Sequence, residues 1–185
     1  MADPASNQEV LLLIDIQNDY FPGGAYPVPG SPEAARRAAT LLDAFRRGRG
    51  PVVHVQHIAV KPGATFFLPD TPGAGIHEQV RPLPGEPVVV KHFPNAFRGT
   101  DLLDRLRGLA ASRLVLAGMM THMCIDATTR AACDLGFDCT LAGDACAAPA
   151  QAHGGVQVPA EQVHAAFLAA LSGSYAKVVP TSSLV

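Results

Sequence analysis

Cys124 stands in GMMTHMCIDATTRAACDLG (118–136), directly after the apolar run LVLAG. The pattern reads as a buried strand, a short polar turn and a helix that opens almost on the thiol. A thiol at the first turn of a helix, near a cation, loses its proton more readily than a free one. Asp15 lies near the carboxyl end of VLLLIDI (10–16), and Lys91 ends PVVVK (87–91). A buried Asp or Lys is costly unless paired, so the most economical place for the two is together. A thiol, a carboxylate and an ammonium at one sheet edge support nucleophilic acyl transfer. Cys124 would attack as the thiolate, Lys91 would favour that form, and Asp15 would take the proton and later return it to a leaving amine. The Cys124 N–H and a second N–H from the GMMT turn would cradle the oxyanion. Each residue also has a structural reading, Asp15 and Lys91 as a bare ion pair and Cys124 as a small buried hydrophobe. What favours the chemistry is that all three fall at strand ends, within one expected cleft.

The elements that must position them alternate as β/α units. After the strand at 10–16, SPEAARRAATLLDAFRRG (31–48) reads as a helix with Ser31 as N-cap and Pro32 at its first position. PVVHVQHIAV (51–60) is a second strand, and 61–86 a long Gly/Pro-rich segment of the kind that usually serves function. The strand at 87–91 leads to a helix at 100–109 with Thr100 as a possible N-cap, then SRLVLAG (112–118) and a helix at 122–135. FDCTLAGDA (137–145) is strand five, 159–173 a helix, and AKVVP (176–180) the last strand. The sum is an α/β chain, one three-layer α/β/α domain over 1–185 with about six mainly parallel strands. In such sheets sites gather at the carboxyl ends of strands.

Composition narrows the classes. With 185 residues, 48% of them apolar, the chain is long enough for a sizeable core. The net charge of −2 and the lack of a basic cluster exclude nucleic acid and an anionic membrane as expected partners. Arg46, Arg47 and Arg49 read as the solvated end of a helix. There is no membrane-length apolar run, and MADPASNQE lacks a signal-peptide core, so the expected location is cytoplasmic. The four cysteines form no CxxC pair, so they are expected as free thiols rather than disulfides or a zinc site.

The stretches LLLIDIQNDYFPGGAYPVPGS, VVVKHFPNAF and LAGMMTHMCIDATTRAACDLGFDCTLAGDACA resemble the isochorismatase-like cysteine hydrolases, a superfamily that includes nicotinamidases, N-carbamoylsarcosine amidohydrolase and streptothricin hydrolase. The resemblance implies an Asp15–Lys91–Cys124 triad and a cis peptide between Met119 and Met120, with the Met120 and Cys124 N–H groups as the oxyanion hole. It also implies strand order 3-2-1-4-5-6 and a homo-oligomer, dimer or tetramer. True isochorismatases lack a cysteine at this position, so the thiol points to hydrolysis of a C–N bond, amide, carbamoyl or lactam-like, through a thioester. Vinyl-ether hydrolysis and a non-catalytic binding protein on the same scaffold are the alternatives; the latter would leave Cys124 no more reactive than a model thiol. Nicotinamidases hold a metal with an Asp-x-His pair; the matching positions here are His57 and Ala59. His54 and His57, three apart on a strand, face opposite ways. No metal and no cofactor are therefore expected, and a small molecule is the expected partner.

Candidate pocket residues are Phe21, His57, Phe66, Phe67, Phe97, Met120 and His122, each with a packing alternative. Asp126 and Arg130 read as an i,i+4 bridge. Cys133 reads as core, and Cys146 as a remote redox alternative. The pocket walls are expected on loops 20–28, 58–75 and 147–158, the last either a lid or a simple connection.

Overall fold

The computed structural model describes residues 8–185; the polar start of the chain, 1–7, lies outside the described residues. A six-stranded sheet runs in the order β3-β2-β1-β4-β5-β8, with every pairing parallel. Its strands are β1 (Gln8–Ile14), β2 (Val52–His57), β3 (Val88–Lys91), β4 (Ala111–Met119), β5 (Asp138–Ala147) and β8 (Lys177–Val179). This is the expected order. The sixth sheet strand is β8 because the 147–158 segment carries its own hairpin, β6 (Gln151–His153) and β7 (Val156–Val158). Gly154 and Gly155 turn it with φ of 57° and 80°, the two-residue geometry that matches strand twist.

β1 is buried on both faces and its side chains alternate between two cores. Leu11 and Leu13 pack toward α1 (Ser31–Ala44) with Ala34, Ala38 and Leu42. Val10, Leu12 and Ile14 pack the other way, with Leu102 and Leu106 of α2 (Leu102–Gly108), Ala132 of α3 (Asp126–Asp134) and Leu171 of α4 (Ala160–Leu171). Among the described residues no helix is long and apolar enough to cross a membrane.

Local details differ from the sequence reading. Strand one stops at Ile14 rather than 16, because Asp15 takes a left-handed φ of 52°. Asp tolerates that region better than most residues. Gly30, with φ of 80°, is the N-cap of α1, and Ser31 is its first residue with a buried, unpartnered hydroxyl. α2 starts at Leu102 rather than 100, so Asp101 and not Thr100 holds the N-cap position, although the Thr100 hydroxyl accepts the Leu102 N–H at 3.3 Å. Residues 121–125 form a single wide turn ahead of α3.

Of the three arginines after α1, Arg47 is exposed as expected, but Arg46 and Arg49 are not merely solvated. Arg46 forks onto Glu86 with two contacts of 2.7 Å, and the buried His54 Nε2 lies 2.9 Å from the same carboxylate. Arg49 pairs with Glu9 at 2.7 Å. The Arg46 hydrogen bond chiefly, against burial and helped by the Leu83 N–H and His54, holds the Glu86 pKa down at about 2. A carboxylate with a lowered pKa stabilises the fold above its unfolded value, 4.5, and that contribution is lost as pH falls through about 2. Glu86→Gln is therefore expected to cost about 1–3 kcal/mol at neutral pH. In thermal melts the gap to wild type should close as pH drops below 4.5.

Candidate active site

The polar run DIQND follows β1 at the carboxyl edge of the sheet. The Asp15 N–H donates to the Val55 carbonyl at 3.0 Å, fixing where the chain leaves β1. Gln17 then clamps the end of β2: its Oε1 accepts the His57 N–H at 2.7 Å, and its Nε2 donates to the carbonyls of His57 and Ala74 at 2.9 and 2.7 Å. Asn18 donates to the Pro72 carbonyl at 2.7 Å. The Asp19 carboxylate accepts N–H groups of Ala25 at 3.1 Å and Phe67 at 2.6 Å. Gly73 is needed beside it, since a Cβ there would lie 2.0 Å from Asp19 Oδ1. Asp15 thus takes no part in this clamp, while the next three polar residues tie the 66–76 segment to the sheet. The sequence reading missed those three. Their signal was a run of hydrogen-bonding side chains directly after an apolar strand.

Next door, β4 approaches β1 so closely that a Cβ on Gly118 would sit 1.9 Å from the Ile14 carbonyl oxygen, and Gly118 has φ of 134°. Only glycine fits there. The Met119–Met120 peptide that follows is cis. The turn then delivers Cys124 onto the two strand-end charges.

Lys91 is the centre of the cluster. Its Nζ lies 2.7 Å from Asp15 Oδ2, 2.9 Å from His57 Nδ1 and 3.2 Å from Cys124 Sγ, and donates to the Phe93 carbonyl at 3.1 Å. Lys91 and Asp15 are both fully buried. Their contact is close but poorly aligned as a hydrogen bond, so the Asp15 oxygens keep acceptor capacity. For Lys91, burial pulls the pKa down, but Asp15 and then Cys124 more than reverse it, leaving the ammonium firmly protonated.

The thiol behaves otherwise than the sequence suggested. Burial first, then the Asp15 charge, push the Cys124 pKa up, and Lys91 only partly opposes them. At neutral pH the resting group is a thiol beside a carboxylate, not a thiolate beside a cation. His57 is neutral: burial, then Lys91, lower its pKa to about 4. With Nδ1 accepting from Lys91, its proton sits on Nε2.

Ligand-capable atoms of Asp15, His57 and Cys124 all lie within 4.8 Å of one another, a set that could grip a metal ion. The Lys91 ammonium already contacts all three. A divalent cation there would face a buried positive charge at the same contacts, so these residues do not fit a metal.

A cavity of about 770 Å³ abuts the cluster and is lined by His57, Phe66, Phe93 and Met123 among others. It adjoins the cluster through His57 and Phe93, which contact Lys91, and through Met123, next to Cys124. Of the seven candidate pocket residues in the sequence, His57 and Phe66 reach it. Phe21 does not: it is buried and stacked on His77 at 3.6 Å. Phe67 is buried behind the wall, 4.5 Å from Tyr20 and 5.9 Å from His57, where it supports the imidazole. Phe97 stacks on Phe137 in the lower core at 6.2 Å. His122 turns its ring edge toward Phe167 at 5.9 Å. Met120 is buried beside the turn, its carbonyl accepting from the N–H groups of Met123 and Ile125. Sequence reasoning missed Phe93 and Met123, which are exposed apolar side chains with no periodic pattern to mark them.

The remaining predictions concern bystanders. Asp126 and Arg130 are joined by contacts of 2.9–3.1 Å, as read. Cys133 is half-buried and near the Ser174 carbonyl, rather than core. Cys146 is buried, and burial pushes its thiol up to about 12, so it has little reactivity.

Comparison with known proteins agrees with this geometry. A model of the isochorismatase domain matches residues 9–183. The chain is 50% identical over 175 residues to the isochorismatase family protein YddQ of Bacillus subtilis, an uncharacterized protein, covering 95% of this chain and 97% of that one. A solved structure from Oleispira antarctica, assigned to the isochorismatase hydrolases, superposes with a TM-score of 0.93 at 50% identity, over 100% of this chain and 98% of that one. Nicotinamidase 3 of Arabidopsis thaliana is 27% identical over 157 residues, 78% of this chain and 76% of that one. A parallel sheet in the expected order, a glycine-tight turn onto a buried thiol and a family match over nearly the whole described chain converge: the chain belongs to the isochorismatase family of hydrolases.

Proposed function

We propose that this hydrolase cleaves the C–N bond of a small amide or carbamoyl compound through a thioester on Cys124. The observation that carries the reading is one buried ammonium, Lys91, touching both a carboxylate and a thiol at 2.7 and 3.2 Å. Nothing about packing calls for a thiol in that place, whereas acyl transfer calls for all three groups. The amidase named among the relatives, a nicotinamidase, supports the choice of bond.

The resting protonation states set the order of events. Asp15 takes the Cys124 proton as sulfur attacks the carbonyl carbon, and the carbonyl π pair moves onto oxygen. Lys91 holds the carboxylate and the sulfur in register and offsets the charge developing on sulfur. The N–H groups of Met120 and Cys124 are assigned to the oxyanion. The intermediate collapses with loss of the amine, which receives the proton from Asp15, and the acyl group stays on sulfur. Water then adds to the thioester, Asp15 accepts its proton, and the thiol leaves with that proton as the acid is released. Substrate plus water gives acid plus amine, with the protein unchanged.

The test is a panel of small amides, carbamoyl compounds and lactams assayed for ammonia or amine. Acid-quenched samples of any active pair should show an acyl adduct on the Cys124 peptide by mass spectrometry. Turnover with an oxygen-linked product and no amine would point to ether cleavage and overturn the proposal.

A further inference from the structure

The turn that carries the thiol is held from two sides. Cys124 is pinned to Lys91 at 3.2 Å. Three residues earlier Thr121 is fully buried, and its hydroxyl lies 2.8 Å from Nδ1 of His164 on α4. One helical turn further on, Phe167 of the same helix meets the His122 ring edge-on at 5.9 Å. One face of α4 thus grips the first two residues of the turn. Burial lowers the His164 pKa, so the ring that holds the hydroxyl is neutral. His164 does not line the active-site cavity; it lines a separate one of about 300 Å³, with Pro29, Cys146 and Glu161. Whatever it does for the reaction it does through Thr121.

We propose that His164 is a positioning residue: by fixing Thr121 it aims the N–H groups on either side, those of Met120 and Cys124, at the oxyanion. The inference rests on the proposed acyl-transfer reading and adds to it a residue that touches neither substrate nor sulfur. Oxyanion donors work only where they are held in place before the charge forms. A five-residue turn anchored at Cys124 alone leaves the peptide planes before it free to rotate, and Thr121 supplies the second anchor. The threonine hydroxyl, cut off from water, needs a partner of its own, and His164 is that partner.

The probe is p-nitrophenyl acetate on the full-length protein, with Cys124→Ala as the blank. Its acetyl group passes to the Cys124 sulfur as nitrophenolate leaves, and the thiol proton goes to Asp15. His164→Leu is expected to lower kcat for nitrophenolate release about twenty-fold with KM within about two-fold. His164→Asn, which places a hydrogen-bonding atom where Nδ1 stood, should come back to within about three-fold of wild type. Thr121→Val combined with His164→Leu removes both partners. Thermal stability of that double variant should return toward wild type while acylation stays slow, whereas a purely structural contact would restore both. An unchanged kcat in His164→Leu, or a double variant as fast as wild type, would overturn the proposal. Wild type no faster than the Cys124→Ala blank would overturn the acyl-transfer reading along with it. Amine release from the amide panel is scored separately. Its absence, with acylation still dependent on His164, would strike the amidase reading and leave the positioning role standing.

Discussion

Cys124→Ala is expected to lower kcat by about 10⁴-fold or more while the protein stays folded. In the proposed mechanism no other group in the cluster can replace the sulfur: Asp15 carries the proton, Lys91 is held as an ammonium, and the His57 Nδ1 lone pair is taken by Lys91. The fold should survive because the ion pair that burial demands, Asp15 with Lys91, is untouched. Loss of one sulfur from a site that is 5% exposed should cost about 1 kcal/mol of stability. Cys124→Ser should be nearly as inactive, since a hydroxyl is a far poorer nucleophile than a thiol and holds its proton far more tightly. Activity of the alanine variant within ten-fold of wild type, by ammonia release, would sink the thioester mechanism.

The raised pKa of the resting thiol changes how reactivity should be read. Free enzyme should alkylate slowly with iodoacetamide near neutral pH, because burial and Asp15 keep the proton on sulfur. Slow labelling is thus compatible with catalysis and does not mark an inert scaffold. In the proposed mechanism the substrate carbonyl, rather than the resting electrostatics, triggers deprotonation.

The meeting of Asp15, Lys91 and Cys124 was legible in the sequence because these residues break local rules. A charge inside or at the end of a buried apolar run, as at Asp15 and Lys91, has few structural excuses. The sheet was legible because continuous apolar runs of four to eight residues mark buried parallel strands. The cavity was not, since its walls come from 57–66, 92–94 and 123, segments whose meeting depends on the Gln17, Asn18 and Asp19 hydrogen bonds. A single strand-end glutamine does not announce that it will hold another strand 40 residues away. The aromatic residues of the loops show the same limit. Phe66 and Phe67 are neighbours in sequence, yet the left-handed φ of 56° at Phe67 sends one to the cavity and the other into the core.

Lys91→Met should bring the largest loss of stability, about 3–5 kcal/mol in urea denaturation, together with complete loss of turnover. The side chains are similar in length, so packing is largely kept; what remains is a fully buried Asp15 carboxylate with no cation. Adding Asp15→Asn removes that charge, so the double variant should be more stable than Lys91→Met alone, by about 1–3 kcal/mol, although neither turns over. That recovery separates an electrostatic role from a packing role, which a second substitution would only worsen. The pH dependence supplies an independent sign. The Lys91 pKa is raised above its unfolded value of 10.5, so its contribution is fully present below pH 10.5 and is lost only as pH rises through the folded value. The gap between wild type and Lys91→Met should therefore stay level through neutral pH and begin to close only above 10.5. A gap that already narrowed between pH 7 and 9 would mean that Lys91 is not held as an ammonium, and Asp15 would then lose the buried cation that keeps it ready to take the thiol proton.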